Sequence, residues 1–433
     1  MKLSRIITLL FLLLGFSIIK AQDESDLLKQ ISNCSEISDI ESLSSSVYKE
    51  KYVMYLNNPI NWSDPNSDTF KSRLILCYKG IDRPTVIVTE GYYANYALYP
   101  SYEDEISHLF NTNVIVCEHR FFGKSIPDSL NWKDLTVENA LADIHHARKI
   151  FGKIFKGKWI CTGISKGGQT TMFYKTQYPE DSDIGVAYVA PLNKGVEDGR
   201  HEEFLSNSVG TESERNMVFL AQRELLKRKP SIISMFEKYS AEHNYNYRKS
   251  INEIYDYCIF ELPFAFWQWG TPINKIPSLD ASNQEWFNFL IKISDPDYFS
   301  YPTATTPFFV QAAYELGYYG YSTKGLEDLC NVQDTHNYLY SLMLPPDAND
   351  IVFNKSLYEQ TVDYLRNNDP KLIFIYGEND PWSASGVCQW LDCSEKCNMK
   401  VFIQPRGSHT ARIRTMPNNI YREIMSCMTK WLE

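Results

Sequence analysis

Ser165 stands at the centre of Gly163-Ile164-Ser165-Lys166-Gly167, a G-x-S-x-G pattern. A serine hydroxyl is too weak an acid to attack unaided, so it needs a base that is itself held by an acid. Two later residues suit those roles. Asp380 lies in Gly377-Glu378-Asn379-Asp380-Pro381-Trp382, and His409 in Gly407-Ser408-His409-Thr410. Their chain order is Ser, Asp, His, the order of a nucleophile elbow and its partners on an open α/β sheet. The pattern alone arises easily by chance in a chain with 20 glycines. Its position has to be argued from the elements around it.

Those elements are short β-branched runs alternating with longer helical patterns. Thr85–Thr89, Val114–Cys117, Trp159–Thr162 and Val186–Ala190 read as buried strands. Continuous apolar runs of this kind are what a parallel sheet covered on both faces requires. Tyr52–Leu56 and Arg73–Tyr78 read as an antiparallel edge, making Thr85–Thr89 the third strand and Val114–Cys117 the fourth. Helices are expected over Tyr102–Leu109, Asn139–Phe155, from Lys166 to Gln177 and over Asn419–Leu432. Pro179 stops the third of these. The strand pattern lapses after Pro191 and resumes at Lys371–Tyr376 and Met399–Ile403. The expectation is an α/β-hydrolase fold: a catalytic domain from 22–192 and 351–433, and a helical, aromatic-rich cap from 193–350.

On that frame Ser165 sits between a strand and a helix, Asp380 follows one late strand and His409 the last. Glu378 is a rival acid earlier in the same turn. The tetrahedral oxyanion needs backbone donors. Lys166 N–H is one, and Tyr92 N–H, in Glu90-Gly91-Tyr92 after Thr85–Thr89, is the other, with the Tyr92 hydroxyl as an alternative. The Lys166 side chain reads as a surface or salt-bridged cation. His108, His145, His146, His201, His243 and His336 lie in helical or insertion segments, and His119, between Glu118 and Arg120, reads as part of a structural cluster.

Composition narrows the classes. The net charge of -10 and the absence of a Lys/Arg run set nucleic acid aside. Lys2 and Arg5, the apolar run Ile6–Ile19 and small Ala21 read as a cleaved signal peptide over residues 1–21, so a periplasmic or extracellular protein is expected. No later run reaches the roughly 18 apolar residues of a spanning helix, so no stable membrane insertion is expected. Ten cysteines permit disulfides in an exported chain. Cys393 and Cys397 lack a second ligand pair at zinc-like spacing, so no metal and no cofactor is expected. Cys117 and Cys161 read as buried thiols.

Several longer motifs carry a resemblance: Thr89-Glu90-Gly91-Tyr92, Glu118-His119-Arg120-Phe121-Phe122-Gly123-Lys124-Ser125, Gly163 to Thr170, Phe266-Trp267-Gln268-Trp269-Gly270 and the Asp380 and His409 segments. Together they resemble the bacterial tripeptidyl aminopeptidase family of secreted serine peptidases. The Glu-His-Arg-Phe-Phe-Gly and Asp-Pro-Trp segments also resemble the neighbouring Pro-X carboxypeptidase and dipeptidyl peptidase family. That neighbour carries Gly-Gly-Ser-Tyr-Gly at its nucleophile, which favours the first. The resemblance implies peptide substrates, release of short peptides (di- or tripeptides, often with proline near the scissile bond) from free N-termini, and Ser165, Asp380 and His409 as the triad. It also implies a carboxylate for the substrate amine, for which Glu90 is one candidate and a structural role the alternative. The cap would offer apolar subsites, with Trp267 and Trp269 as candidates. An esterase or lipase with the same triad is the enzymatic rival, and a catalytically silent binding module the non-enzymatic one.

Overall fold

The computed structural model describes residues 25–348 and 350–433. The expected signal peptide lies outside the described residues. Among the described residues nine strands form one sheet: β1 (Ile37–Ser42), β2 (Glu50–Pro59), β3 (Thr69–Tyr78), β4 (Thr85–Thr89), β5 (Asn113–Cys117), β6 (Trp159–Ile164), β7 (Ile184–Tyr188), β8 (Leu372–Gly377) and β9 (Lys400–Gln404). Their order is β1-β2-β3-β5-β4-β6-β7-β8-β9. β1 to β3 pair antiparallel, β3 joins β5 antiparallel, and every pairing from β5 to β9 is parallel.

The strand count from sequence is one short. β1 precedes the expected edge, so Thr85–Thr89 is fourth and Val114–Cys117 fifth. Only the first residue of its sequence Ile-Ser-Asp-Ile-Glu-Ser is buried, and its register slips between Ser38 and Glu41, where Asp39 has φ 51°. An interrupted polar edge strand gives no clean apolar period.

The helices are α1 (Asp26–Ser32), α2 (Glu105–Phe110), α3 (Val137–Phe151), α4 (Lys166–Gln177), α5 (Arg200–Asn207), α6 (Glu212–Glu242), α7 (Ile251–Gln268), α8 (Asn283–Ile293), α9 (Thr306–Gln311), α10 (Ser356–Asn367) and α11 (Asn418–Leu432). Caps set their true starts. Asp104 accepts from Ser107 N at 3.1 Å, so α2 begins later than Tyr102. Thr136 accepts from Asn139 N at 3.1 Å, so α3 begins earlier than Asn139.

One face of the sheet packs α3, α4 and α10 through residues such as Leu141, Phe173 and Leu365; the other packs α2 and α11 through Ile106, Ile424 and Trp431. This mostly parallel sheet with helices on both faces is an α/β-hydrolase fold. Between β7 and β8 the chain builds a separate aromatic core from α6 to α9 and the π-helical turns Ala312–Leu316 and Leu339–Met343. Cys117 and Cys161 are buried in β5 and β6.

Candidate active site

Ser165 is the hinge between β6 and α4. Its backbone, φ 59° and ψ −121°, lies where a non-glycine residue is strained by about 1–3 kcal/mol. Neighbouring strands hold it there: Ser165 N–H donates to Tyr188 O on β7 at 2.9 Å, and Gln169 N–H donates to Ser165 O at 2.8 Å. Gly163 is required because a Cβ would collide with the Gly167 carbonyl and lie 2.9 Å from Thr89 Oγ1. The sharp turn leaves Ser165 half-buried at the N-terminus of a helix, whose first N–H groups lack intrahelical acceptors and whose dipole favours negative charge.

Asp380 and His409 converge from loops after β8 and β9. His409 Nδ1 lies 2.7 Å from Asp380 Oδ2, with the His409 side chain 5% exposed and the carboxylate fully buried. A carboxylate only accepts, so Nδ1 carries the proton and Nε2 presents its lone pair. Nε2 is buried and has no hydrogen-bond partner among the described residues. Asp380 Oδ1 accepts from Trp382 N–H at 3.1 Å, which fixes the carboxylate plane. His409 N–H donates to Gln268 O at 2.9 Å, tying this loop to the end of α7. Glu378 faces the surface and accepts from Arg406 N–H at 2.6 Å, so the rival acid points away from His409.

The turn after β4 lies directly against the start of α4. A Cβ on Gly91 would sit 2.8 Å from Lys166 Cβ and 2.9 Å from Gly167 N, so glycine is what permits the approach. Tyr92 N–H donates to Glu90 Oε1 over a long 3.3 Å, and Gly91 N–H to the same oxygen at 2.9 Å. Glu90 Oε2 accepts from Tyr96 at 2.6 Å. Both carboxylate oxygens are therefore engaged by the turn itself, the alternative left open for Glu90 by the sequence. Burial raises its carboxyl against the pull of these donors and of Lys166. The Tyr92 ring packs on Phe122 and Phe308 at 5.6 and 5.5 Å.

Lys166 departs from expectation. Its side chain is neither at the surface nor in a salt bridge; the residue is 3% exposed and its ammonium donates to Gly91 O at 2.5 Å. It lies against the β4 turn and lines the small cavity beside Ser165. Burial depresses its pKa well below the usual lysine range, opposed by Glu90 and Glu315.

The sequence-derived cluster around His119 is present. Glu118 pairs with Arg73 and accepts from Ala94 N–H at 2.8 Å and Lys124 N–H at 2.7 Å; Arg120 grips Asp143 with two 2.8 Å bonds. His119 N–H donates to Tyr92 O at 3.1 Å, so the cluster supports the same turn.

A cavity of about 20 Å³ adjoins Ser165, walled by Tyr92, Gln169, Asn193, Phe308 and Trp382. The last three were missed from sequence, although Trp382 follows Asp380 in the Asp-Pro-Trp segment. Trp269 is 60% exposed and stands edge-on to His409 at 6.0 Å. Trp267 is buried beside Phe266 and lines a larger cap cavity of about 670 Å³. The two tryptophans thus serve different places. Among the described residues no cluster of ligating side chains could hold a metal, and no helix is long and apolar enough to cross a membrane.

Comparison with known proteins fits this geometry. Residues 19–420 match the family described as PS-10 peptidase S37. The chain is 28% identical over 389 residues to the prolyl tri/tetrapeptidyl aminopeptidase of Streptomyces mobaraensis, covering 88% of this chain and 79% of that protein. A shorter stretch is 30% identical to the human thymus-specific serine protease, over 22% of this chain and 20% of that one. Among solved structures it is similar to the proline iminopeptidase of Mycobacterium smegmatis at 11% identity, with TM-score 0.38 over 91% of this chain and 99% of that one. With residues 19–420 covered by one family and a strained serine elbow on an α/β-hydrolase sheet, the chain belongs to the PS-10 peptidase S37 family of serine peptidases.

Proposed function

We propose that this peptidase releases tri- or tetrapeptides, with proline beside the scissile bond, from free N-termini. Ser165 Oγ attacks the carbonyl carbon and its proton passes to His409 Nε2, while Asp380 holds Nδ1–H and stabilises the imidazolium. The oxyanion is met by Lys166 N–H and Tyr92 N–H. His409 returns the proton to the leaving amine, and water then cleaves the acyl-enzyme by the same relay. The observation that carries the proline-directed reading is the tight aromatic space at Ser165, about 20 Å³ between Tyr92, Phe308 and Trp382. A compact, flat ring suits that space better than a long side chain. The Streptomyces relative supports the peptide length.

The segment 193–350 is the cap that restricts access to chain ends, and Trp269 is an aromatic wall beside His409. Glu90 serves the turn rather than the substrate amine. The protein acts after export and removal of residues 1–21; an N-terminus at Gln22 in protein recovered outside the cytoplasm supports this, and an intact Met1 there overturns it. The decisive assay sets free and N-acetylated tri- and tetrapeptide amides beside short acyl esters. Cleavage of free peptides after proline is expected. Equal cleavage of blocked peptides overturns the aminopeptidase reading, and hydrolysis of esters alone overturns the peptide specificity.

A further inference from the structure

The chemistry above uses the backbone of Lys166 and leaves its side chain without a task. A buried ammonium is heavily unfavourable unless something requires it, and an apolar side chain would fill the same volume. Its surroundings are specific. Cβ and Cγ of Lys166 occupy the space that a Gly91 Cβ would claim, each 2.8 Å from that position. The ammonium lies over the rings of Phe122 and Tyr92 at 4.9 and 5.3 Å and donates to Gly91 O at 2.5 Å. Glu90, held on the same turn, and buried Glu315 both oppose the depression of its pKa.

Gly91 C=O and Tyr92 N–H belong to one planar trans peptide unit, so they point in opposite directions. Holding the carbonyl fixes where the N–H points. The next carbonyl, Tyr92 O, is held from the other side by His119 N–H at 3.1 Å. The N–H between them has only its long 3.3 Å bond to Glu90 Oε1, which a developing oxyanion can replace.

We propose that Lys166 is a positioning residue whose ammonium clamps the Gly91–Tyr92 peptide, so that one residue donates the first oxyanion hydrogen bond from its backbone and aligns the second through its side chain. This rests on the reading of Ser165 as nucleophile and Tyr92 N–H as oxyanion donor. The clamp acts on the tetrahedral state and not on the bound ground state, because only the former needs both N–H groups aimed at one point.

The test uses the full chain as wild type, Lys166→Met, Lys166→Arg and Ser165→Ala. Readouts are fluorophosphonate labelling, kcat and KM on a proline-containing peptide amide, and affinity for a peptidyl boronic acid against that for the product peptide. Removing a whole oxyanion donor costs roughly 100- to 1,000-fold, so a misaligned donor in Lys166→Met is expected to lower kcat by about 10- to 300-fold. KM and product affinity should stay within about threefold, and boronate affinity should fall in step with kcat. A folded Lys166→Met that keeps its kcat, or that loses product and boronate affinity equally, overturns the clamp. If that variant does not fold, Lys166→Arg decides: a boronate-to-product affinity ratio within about tenfold of wild type supports the clamp, and a hundredfold loss overturns it. Failure of the underlying reading looks different: wild type then stays unlabelled, or Ser165→Ala labels as wild type does.

Discussion

Glu118 beneath the sheet edge and Glu261 in the cap are both buried carboxylates, yet they are held in opposite ways. Glu118 has a cationic partner in Arg73 and donors from Ala94, Lys124 and Ser125. Glu261 has no ion pair among the described residues; it accepts from the hydroxyls of Tyr319 and Tyr321 at 2.9 and 2.8 Å, and burial pushes its pKa up to about 8. Around Glu118 backbone is thus fixed with compensated charge, next to a strained serine and a clamped turn. Around Glu261 the insertion is held instead by stacked rings, such as Phe264 on Tyr319 at 3.7 Å, and by a carboxyl kept protonated, while farther off it keeps one buried ion pair of its own, Lys229 with Asp256 at 2.7 Å.

The contrast can be broken most severely at the sheet edge. Ser165→Ala and Asp380→Asn should each lower kcat/KM by about ten-thousand-fold, the latter by releasing the His409 tautomer; steady-state kinetics on a peptide amide checks both. Next is Arg120→Met, which strands Asp143 in the interior and should cost about 3–5 kcal/mol in denaturant unfolding. Glu261→Gln probes the cap. As pH rises from about 4.5 towards 8, the unfolded chain loses the Glu261 proton while the folded chain keeps it, so wild-type stability falls across that window. The glutamine variant should be spared on the order of 4 kcal/mol of that decline, read by unfolding at pH 5 and pH 8.5. Glu315, also raised to about 8, and Asp104, raised to about 6, remain in both proteins and contribute to the residual slope. Smallest is Trp269→Ala, expected to raise KM for peptides by about three- to tenfold with little effect on a short acyl ester.

The sheet and its site were legible in sequence to different depths. β4, β5 and the body of β6 are buried apolar runs, and such runs announce themselves. The elbow, Asp380 and His409 were placed by chain order relative to those strands. β1 was hidden by its polar, slipped register. Lys166 was misread because burial of a first-turn lysine depends on Gly91, 75 residues earlier, and on a cap that folds over it. Trp267 and Trp269 looked equivalent, but α7 ends between them at Gln268, sending one ring inward and the other towards His409. Phe308 and Asn193 reach Ser165 only through tertiary packing, for which no local pattern exists.

The wide separation of the reacting groups also has a consequence in time. Ser165 and its elbow are made early, whereas His409 follows about 240 residues later and lies on the loop after β9. At roughly 5–20 residues per second, more than ten seconds of synthesis pass between them. A growing chain therefore carries Ser165 without His409, and a chain cut before β9 keeps Asp380 but lacks His409, β9 and the core residues of α11. If Ser165 depends on His409 as proposed, the protein is inert until the loop after the final strand is in place.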